Sequence, residues 1–277
     1  MINEIIEFLS YGFVLRALLV GVLISICAAL LGTNLVLKRF SSLGDGLSHV
    51  GFGASALGVS FGVAPLYIAI PAVLLAAFFL LRLNKNGKIK GDAAIALVSS
   101  SALAIGITAA KLSHGMNVDI NNFMFGSIYT ISGQDVVISV ALCAVVLILF
   151  SLFYNKLFAV TFDENFSFAT GIKVSRYNTL LACLTAVTVV IGMRMMGALL
   201  ISSLLVFPSL SSGRIFRSYR GVILGALLVS VSAFLIGIAL SFAFSTPPGA
   251  AVVIANLVFF LIFWAIGAIK GRLGRKR

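Results

Sequence analysis

Nine long runs of apolar residues follow one another along this chain, and they constrain its fold more than any other feature. They lie at about residues 13–37, 46–62, 64–83, 92–113, 134–155, 177–193, 196–213, 220–243 and 249–270. A helix needs about 20 apolar residues to cross the hydrocarbon core of a bilayer, and fewer when neighbouring helices bury it. The runs therefore predict an all-α polytopic membrane protein. We expect one bundle of about 8–9 transmembrane helices, with residues 1–277 forming a single domain.

The composition supports this prediction. Hydrophobic residues make up 61% of the 277 residues and charged residues only 10%, whereas about 25% of residues are charged in an average soluble domain. A net charge of +12 would suit a nucleic-acid partner, but no stripe of basic and aromatic residues accompanies it. Because the lysines and arginines are concentrated in short segments between the apolar runs, the positive-inside rule explains the charge. We expect a lipid bilayer, and no nucleic acid, around the protein.

The basic segments also predict the topology. Seventeen of the 20 basic residues lie in the cytoplasm if that side carries Lys38-Arg39 and residues 82–90, 156–176, 214–220 and 270–277. This arrangement requires that residues 119–132 do not cross, so we expect them to form a re-entrant or interfacial half-helix at the outer side. The N-terminus then lies outside, and the basic tail 270–277 lies in the cytoplasm.

Two common motifs, for nucleotide binding and for metalloprotease chemistry, are missing. The chain has no GxxxxGK[ST] phosphate-binding loop and no HExxH zinc motif. Cys27, Cys143 and Cys183 are far apart and lie within apolar runs, which indicates buried thiols rather than a zinc cluster. We therefore expect a protein that is not an enzyme and that binds no permanent cofactor.

Residues 41–51 place an acid and an imidazole within sequence apolar enough for a membrane. Asp45 and His49 are four residues apart, so a helix presents both side chains on one face. A carboxylate and an imidazole together suit zinc, manganese or iron(II) better than calcium or magnesium. The pair predicts half of a divalent-metal site, which a second copy of the chain can complete.

Two structural explanations compete for the same residues. Ser42 followed three residues later by Asp45 also matches a capping box, with the acid at the positive end of a helix dipole. His49 can equally be a buried histidine whose hydrogen bonds are satisfied. The spacing alone leaves all three interpretations open.

A second segment, residues 161–171, is predicted to be a short cytoplasmic helix. Acidic residues lie near its start, aromatic residues provide apolar contact area, and a glycine can end it. This pattern predicts a docking element for a soluble partner, and the alternative is an amphipathic helix lying on the lipid surface. The residues assigned to docking are Asp163, Glu164, Phe166, Phe168 and Gly171.

A third segment, residues 193–208, carries serines and a proline within an apolar run. Ser202, Ser203 and Pro208, together with Ser48 and with Arg194 near the outer face, are candidates for lining or gating a pathway. In the alternative interpretation the serines bond to their own helix and the arginine extends to the membrane surface.

Several segments together resemble one family, the permease subunits of bacterial zinc, manganese and iron ABC importers. The first signature is Gly44-Asp45-Gly46-Leu47-Ser48-His49, preceded by residues 31–39. The further matching segments are residues 99–106, 118–120, 125–127, 162–172 and 197–208. The sequence departs from the family at Gly46, where alanine is more usual, and at residues 209–211, where alanine-rich sequence is usual.

The resemblance implies a function and a set of partners. It implies an importer in the bacterial cytoplasmic membrane, built from two permease copies and two ATPase subunits and supplied by an extracytoplasmic metal-binding protein. Asp45 and His49 would then line the ion route, and residues 161–171 would receive the movement of the ATPase. The cargo is expected to be Zn²⁺ in preference to Mn²⁺ or Fe²⁺.

Two other functions are compatible with parts of the sequence. A secondary transporter or channel could use the Asp45–His49 pair to carry protons, but it would not need the docking segment at 161–171. A membrane assembly subunit that transports nothing would leave Asp45 and His49 unexplained. We therefore expect an ATP-driven metal-ion permease.

Overall fold

A computed structural model describes residues 12–85, 91–112 and 133–274, and every regular element in these ranges is an α-helix. Its helices are α1 (Gly12–Leu37), α2 (Ser42–Ser60), α3 (Pro65–Lys85), α4 (Gly91–Leu112), α5 (Gly133–Leu152), α6 (Tyr154–Phe162), α7 (Glu164–Ala169), α8 (Val174–Met196), α9 (Ala198–Ile215), α10 (Tyr219–Phe244) and α11 (Pro248–Gly274). The predicted half-helix at 119–132 lies outside the described residues.

The all-α membrane fold is confirmed. Eight of the described helices, α1, α3, α4, α5, α8, α9, α10 and α11, are long and apolar enough to cross a bilayer. The helix α2 is long but falls outside this set, because it carries five glycines and the polar pair Asp45 and His49. It is nevertheless buried along most of its length, from Leu43 to Gly58, so protein surrounds much of it where a lipid-facing helix would be exposed.

The helices α1 and α8 form the centre of the bundle. The helix α1 packs against α5, α8, α9 and α10, and α8 packs against α1, α2, α3 and α9. In its most apolar stretch α8 is 72% buried, whereas α4 and α11 are only 17% buried. The peripheral helices therefore present their apolar side chains outwards, as a lipid environment requires.

Glycines let α2 approach its neighbours at backbone distance. A Cβ atom on Gly53 of α2 would collide with the backbone carbonyl of Ala102 in α4, and one on Gly106 of α4 would collide with Gly53 itself. Small residues at such positions allow membrane helices to pack closely. The helix that carries the Asp45–His49 pair is held against α4 in this way.

Side-chain contacts bring many helix ends together at one end of the bundle, which we call the basic end. Lys38 at the end of α1 bonds to Val160 of α6, and Ser42 at the start of α2 bonds to Asp92 at the start of α4. Tyr219 at the start of α10 bonds to α1. These bonds place the predicted cytoplasmic segments at 38–39, 156–176 and 214–220 at the same end.

Two predicted boundaries are wrong at this end. The predicted span 134–155 ends at Leu152, and a separate helix, α6, begins at Tyr154. The predicted docking helix 161–171 is shorter, because Thr161 and Phe162 still belong to α6 and only Glu164–Ala169 form α7. Asp163 separates the two helices because its backbone is extended, with φ −148° and ψ 102°, and its side chain accepts the Phe166 N–H as an N-cap.

Candidate functional site

Asp45 and His49 lie on one face of α2, as their spacing predicts. His49 Nε2 is 3.7 Å from Asp45 Oδ2, and the two side chains are 29% and 60% exposed, respectively. That distance is too long for a hydrogen bond. It is close to the ~3.4 Å that separates two ligand atoms of one tetrahedral zinc ion, when each bond is about 2.1 Å long. The pair can therefore receive a divalent ion with a small movement of either side chain.

Ser202 joins this pair from α9. Its Oγ is 3.1 Å from Asp45 Oδ1 and also 3.1 Å from the carbonyl oxygen of Ala198 in its own helix. A hydroxyl has one proton to donate, so the proton goes to one of these acceptors at a time. Ser202 can thus neutralise part of the charge of an empty Asp45 and turn back to its own helix when an ion binds.

The other candidate pathway residues of this region do not reach the pair with their side chains. Ser48 is buried, and its hydroxyl donates to the backbone oxygen of Asp45. Ser203 is buried and donates to Leu200 of its own helix. Pro208 is buried within α9. For the two buried serines the structure shows the local bonding that the alternative interpretation expects.

The glycines on either side of Asp45 let the first turn of α2 pack closely against α9 and α4. A Cβ atom on Gly44 would collide with the side chain of Leu205 in α9, and one on Gly46 would collide with the side chain of Ile95 in α4. Gly46 is also where the sequence departs from the family that it resembles. The side chain of Ile95 occupies the space that an alanine methyl would need.

The predicted capping box at Ser42 is wrong. The residue before the first turn of α2 is Ser41, and it makes no side-chain capping bond. Ser42 is already helical, and its hydroxyl donates to Asp92 Oδ1 at 2.8 Å. The serine therefore ties the start of α2 to the start of α4, and Asp45 remains outside this contact.

Within the described part of the chain, the pair is incomplete as a metal centre. Across residues 12–85, 91–112 and 133–274, no group of three or more His, Cys, Asp or Glu side chains could hold a metal ion. A zinc site commonly has four ligands. Two ligands with an exposed carboxylate form an open half-site, from which an ion can readily depart.

Arg194 forms an ion pair that the sequence analysis missed. Its Nη2 is 3.0 Å from Oδ1 of Asp135, whose side chain is only 9% exposed. Asp135 lies in the first turn of α5, and Arg194 lies in the last turn of α8. The ion pair therefore fastens α5 to the central helix α8 at the end opposite to Lys38. In the sequence, Asp135 was visible only as a first-turn aspartate.

Another serine pattern has a purely structural explanation. Residues 58–62 read Gly-x-Ser-x-Gly, the spacing of a hydrolase nucleophile on a strand-to-helix turn. Here the serine, Ser60, ends α2 and donates to the carbonyl of Ala56. No nucleophile elbow is present at this position.

The segment around α7 exposes two aromatic rings. Phe166 is 64% exposed and Phe168 is 78% exposed. Gly171 closes the segment with a positive φ of 81°, a backbone conformation that suits glycine. Beside α7 lies an open groove of about 760 Å³, lined by residues 164–165, 168 and 171–176. This part of the basic end has both the apolar anchors and the concave surface that a protein partner can use.

Glu164, the first residue of α7, links this segment to α1 and α8, although its side chain is 49% exposed. Its Oε1 accepts from Lys38 Nζ at 2.6 Å and from Asn178 Nδ2 at 3.0 Å. Lys38 also donates to Asn178 Oδ1 at 2.7 Å and to the Val160 carbonyl at 3.0 Å. In the sequence, Lys38 signals only the cytoplasmic end of a span, so its role in holding α7 was missed.

Asn34, one turn before Lys38, is a second residue whose contacts the sequence did not predict. It is fully buried, and its Oδ1 accepts from Thr161 of α6 and from the hydroxyl of Tyr219 in α10, both at 2.9 Å. A buried amide inside an apolar run is costly unless it is bonded. That cost is the signal by which the sequence could have revealed Asn34.

Comparison with known proteins identifies the family. Residues 10–267 match the ABC 3 transport family. The chain is 29% identical over 277 residues to the manganese import system permease protein ScaB of Streptococcus gordonii, covering 100% of this chain and 99% of that protein. It is 28% identical over 246 residues to the high-affinity zinc uptake system membrane protein ZnuB of Haemophilus influenzae, covering 89% and 94%.

A solved structure agrees with this result. The structure described as PsaBC from Streptococcus pneumoniae in complex with Fab matches with a TM-score of 0.85 and 29% identity, covering 95% of both chains. The arrangement of the helices thus agrees with the sequence matches over almost the whole length. The chain belongs to the ABC 3 transport family and is a multi-pass membrane permease subunit.

Proposed function

We propose that this permease imports a divalent transition-metal ion and that Asp45 and His49 are its ion ligands along the route. The observation that carries the proposal is the 3.7 Å pair, which lies on a buried helix but keeps a carboxylate that is 60% exposed. An ionisable pair inside a membrane bundle marks an ion route or a proton route. Relatives named for manganese import and zinc uptake support the ion route.

A second copy of the chain would complete the site. If the open faces of two α2 helices meet across a two-fold axis, they bring together two carboxylates and two imidazoles. Four ligands satisfy zinc, and the same ligand types serve manganese and iron(II). Zn²⁺ is our first choice of cargo and Mn²⁺ is our second. The ion is cargo and not a resident cofactor.

ATP hydrolysis would come from a separate cytoplasmic ATPase that docks at α7. The exposed rings of Phe166 and Phe168 and the groove beside them support this position. The basic end would then face the cytoplasm of a bacterial cell, with the N-terminus outside. An extracytoplasmic metal-binding protein would deliver the ion to the opposite end.

Uptake measurements test the ion ligands. The permease, its ATPase and its metal-binding protein are expressed in cells that lack their own importer, and uptake of radioactive zinc and manganese is followed. Asp45→Ala and His49→Ala should each reduce uptake to background while the ATPase still co-purifies. The control is Lys156→Ala, which removes an exposed charge at the same end, on α6. Normal uptake in both site variants would remove the ligand assignment.

The energy source is tested in the same system. Uptake should follow ATP supply and should persist when the proton gradient is collapsed in vesicles loaded with ATP. Uptake that requires the proton gradient and not ATP would favour the proton-coupled alternative.

The docking surface is tested with the double variant Phe166→Ala and Phe168→Ala. Loss of two exposed aromatic anchors should abolish co-purification of the ATPase, because a few such residues supply most of the binding energy of an interface. The matched control is Phe244→Ala, which removes an aromatic ring that is 71% exposed at the far end of α10. Unchanged ATPase binding in the double variant would indicate that the rings lie in lipid.

A further inference from the structure

We infer that Lys38 is the positioning residue that transmits movement of α7 to the helix carrying Asp45 and His49. The inference rests on the proposed function, because it needs an ATPase at α7 and an ion at α2. It adds a residue that belongs to neither site. Lys38 connects them.

On the α7 side, Lys38 bonds to three elements at once. Its Nζ donates to Val160 O of α6, to Glu164 Oε1 of α7 and to Asn178 Oδ1 of α8. An ammonium group has three N–H donors, so its capacity is fully used. The side chain is only 6% exposed, and a buried charge makes exacting demands on the position of its partners.

Glu164 and Asn178 also bond to each other, at 3.0 Å. Lys38, Glu164 and Asn178 therefore form a closed triangle of hydrogen bonds. Glu164 is the first residue of α7, and its neighbours on that helix carry the exposed rings. A partner that displaces α7 pulls directly on Lys38.

On the α2 side, a rigid turn follows Lys38. Phe40 N–H donates to Leu35 O at 2.8 Å and Arg39 N–H donates to Val36 O at 3.1 Å, which is the bonding pattern of a Schellman motif. Arg39 takes the left-handed position with φ 61°, where glycine is usual. The next bond, from Leu43 N–H to Phe40 O, already lies at the start of α2.

The connection from Lys38 to the ion pair is therefore short. Three residues, 39–41, separate Lys38 from the first residue of α2, and Asp45 follows in the first turn of that helix. Because backbone hydrogen bonds close the turn, Lys38 and the beginning of α2 move together. A displacement of α7 thus moves the first turn of α2, which holds the Asp45 carboxylate.

The ion pair is buried on the Lys38 side only: the side chain of Lys38 is 6% exposed and that of Glu164 is 49% exposed. Glu164 can therefore stay hydrated without Lys38, and Asp163 caps α7 independently of it. The link from α7 to the end of α1, in contrast, depends on the ammonium group. We therefore expect removal of the ammonium group to disconnect ATP hydrolysis from transport while the complex still assembles.

The test compares ions transported with ATP hydrolysed in the reconstituted complex of permease and ATPase, supplied with the metal-binding protein. Lys38→Met keeps an unbranched apolar stem and removes the donors, and Glu164→Gln keeps the shape and removes the charge of the partner. The control is Lys156→Met, which changes an exposed lysine on α6. Zinc and manganese uptake and phosphate release are measured on the same vesicles.

We expect Lys38→Met to lower the number of ions per ATP about tenfold, a typical size for coupling between two sites, with ATP hydrolysis within about twofold of the wild type. Glu164→Gln should give a smaller fall, and Lys156→Met should give none. If Lys38→Met does not assemble, Glu164→Gln decides the question with the lysine in place.

Two results would overturn the inference. One is an unchanged ratio in the variant that assembles. The other is a parallel fall of uptake and ATP hydrolysis, which a merely structural lysine would produce. If the wild-type complex shows no ATP-driven metal uptake, the proposed function itself fails, and the inference fails with it.

Discussion

Two ionic pairs at or near the basic end differ in how completely their bonding capacity is used. Lys38 is 6% exposed and donates to three acceptors, including Glu164 at 2.6 Å. Asp45 is 60% exposed, lies 3.7 Å from His49 and accepts one hydrogen bond, from Ser202. A saturated pair holds its elements together, whereas an open pair can bind an ion and release it. The contrast indicates that the Lys38–Glu164 pair holds helices together and that the Asp45–His49 pair takes part in transport.

Reversing the charge of the open pair should have the largest effect. Asp45→Lys places an ammonium group where the ion must pass, and like charges brought together cost several kcal/mol, so uptake should fall at least ~100-fold. Because Asp45 is exposed, the thermal stability of the permease should change little. Uptake and thermal unfolding in detergent measure the two effects, with Lys156→Glu, a charge reversal at an exposed residue of α6, as the control. A large loss of stability would show that the open pair is structural after all.

Changing the glycine that lets the first turn of α2 pack against α4 should have the next largest effect. Gly46→Ala adds a methyl group that meets the Ile95 side chain, and overpacking of this kind costs about 1–3 kcal/mol. We expect lower thermal stability together with lower uptake, because α2 must shift away from α4. The double variant with Ile95→Ala should recover both. No recovery would mean that the contact with Ile95 does not set the position of α2.

Removing a hydrogen bond close to the Lys38–Glu164 pair should have a smaller effect. Tyr219→Phe removes one donor to the buried Asn34 and leaves the aromatic ring packed against Phe158, at 4.9 Å between ring centroids. Loss of one such hydrogen bond costs about 1 kcal/mol. Thermal unfolding should register it, while the ratio of ions to ATP stays normal because Lys38 is intact. A changed ratio would extend the transmitting contact from Lys38 to Asn34.

The smallest effect is expected at Ser202. Ser202→Ala frees Asp45 Oδ1 from its hydrogen-bond donor, so the empty site should attract an ion more strongly and release it more slowly. A hydrogen bond worth about 1 kcal/mol corresponds to a change of roughly fivefold in the ion concentration that gives half-maximal uptake. The control is Ser203→Ala, whose hydroxyl bonds only to Leu200 in its own helix among the contacts described. Equal effects of the two variants would contradict the role of Ser202.

Much of the fold could be predicted from local features of the sequence. Hydropathy placed the long helices, and the i, i+4 spacing placed Asp45 and His49 on one face of a helix, because both depend on neighbours a few residues away. The boundaries at the basic end were harder to predict. Asp163 interrupts the helix through its extended backbone and its bond to Phe166 N–H, although residues 158–168 contain no proline or glycine that would mark a break.

The amino-acid sequence by itself determined that this chain is an all-α membrane protein, that Asp45 and His49 share one face of a helix, and that aromatic residues stand next to acids between residues 162 and 168. Only the tertiary structure decided which of these residues meet. Lys38 reaches Glu164 across 126 residues of sequence, and Asp45 reaches Ser202 across 157. Helix formation and hydropathy depend on local sequence, whereas contacts of this kind depend on how glycines such as Gly53 and Gly106 let particular helices pack side by side.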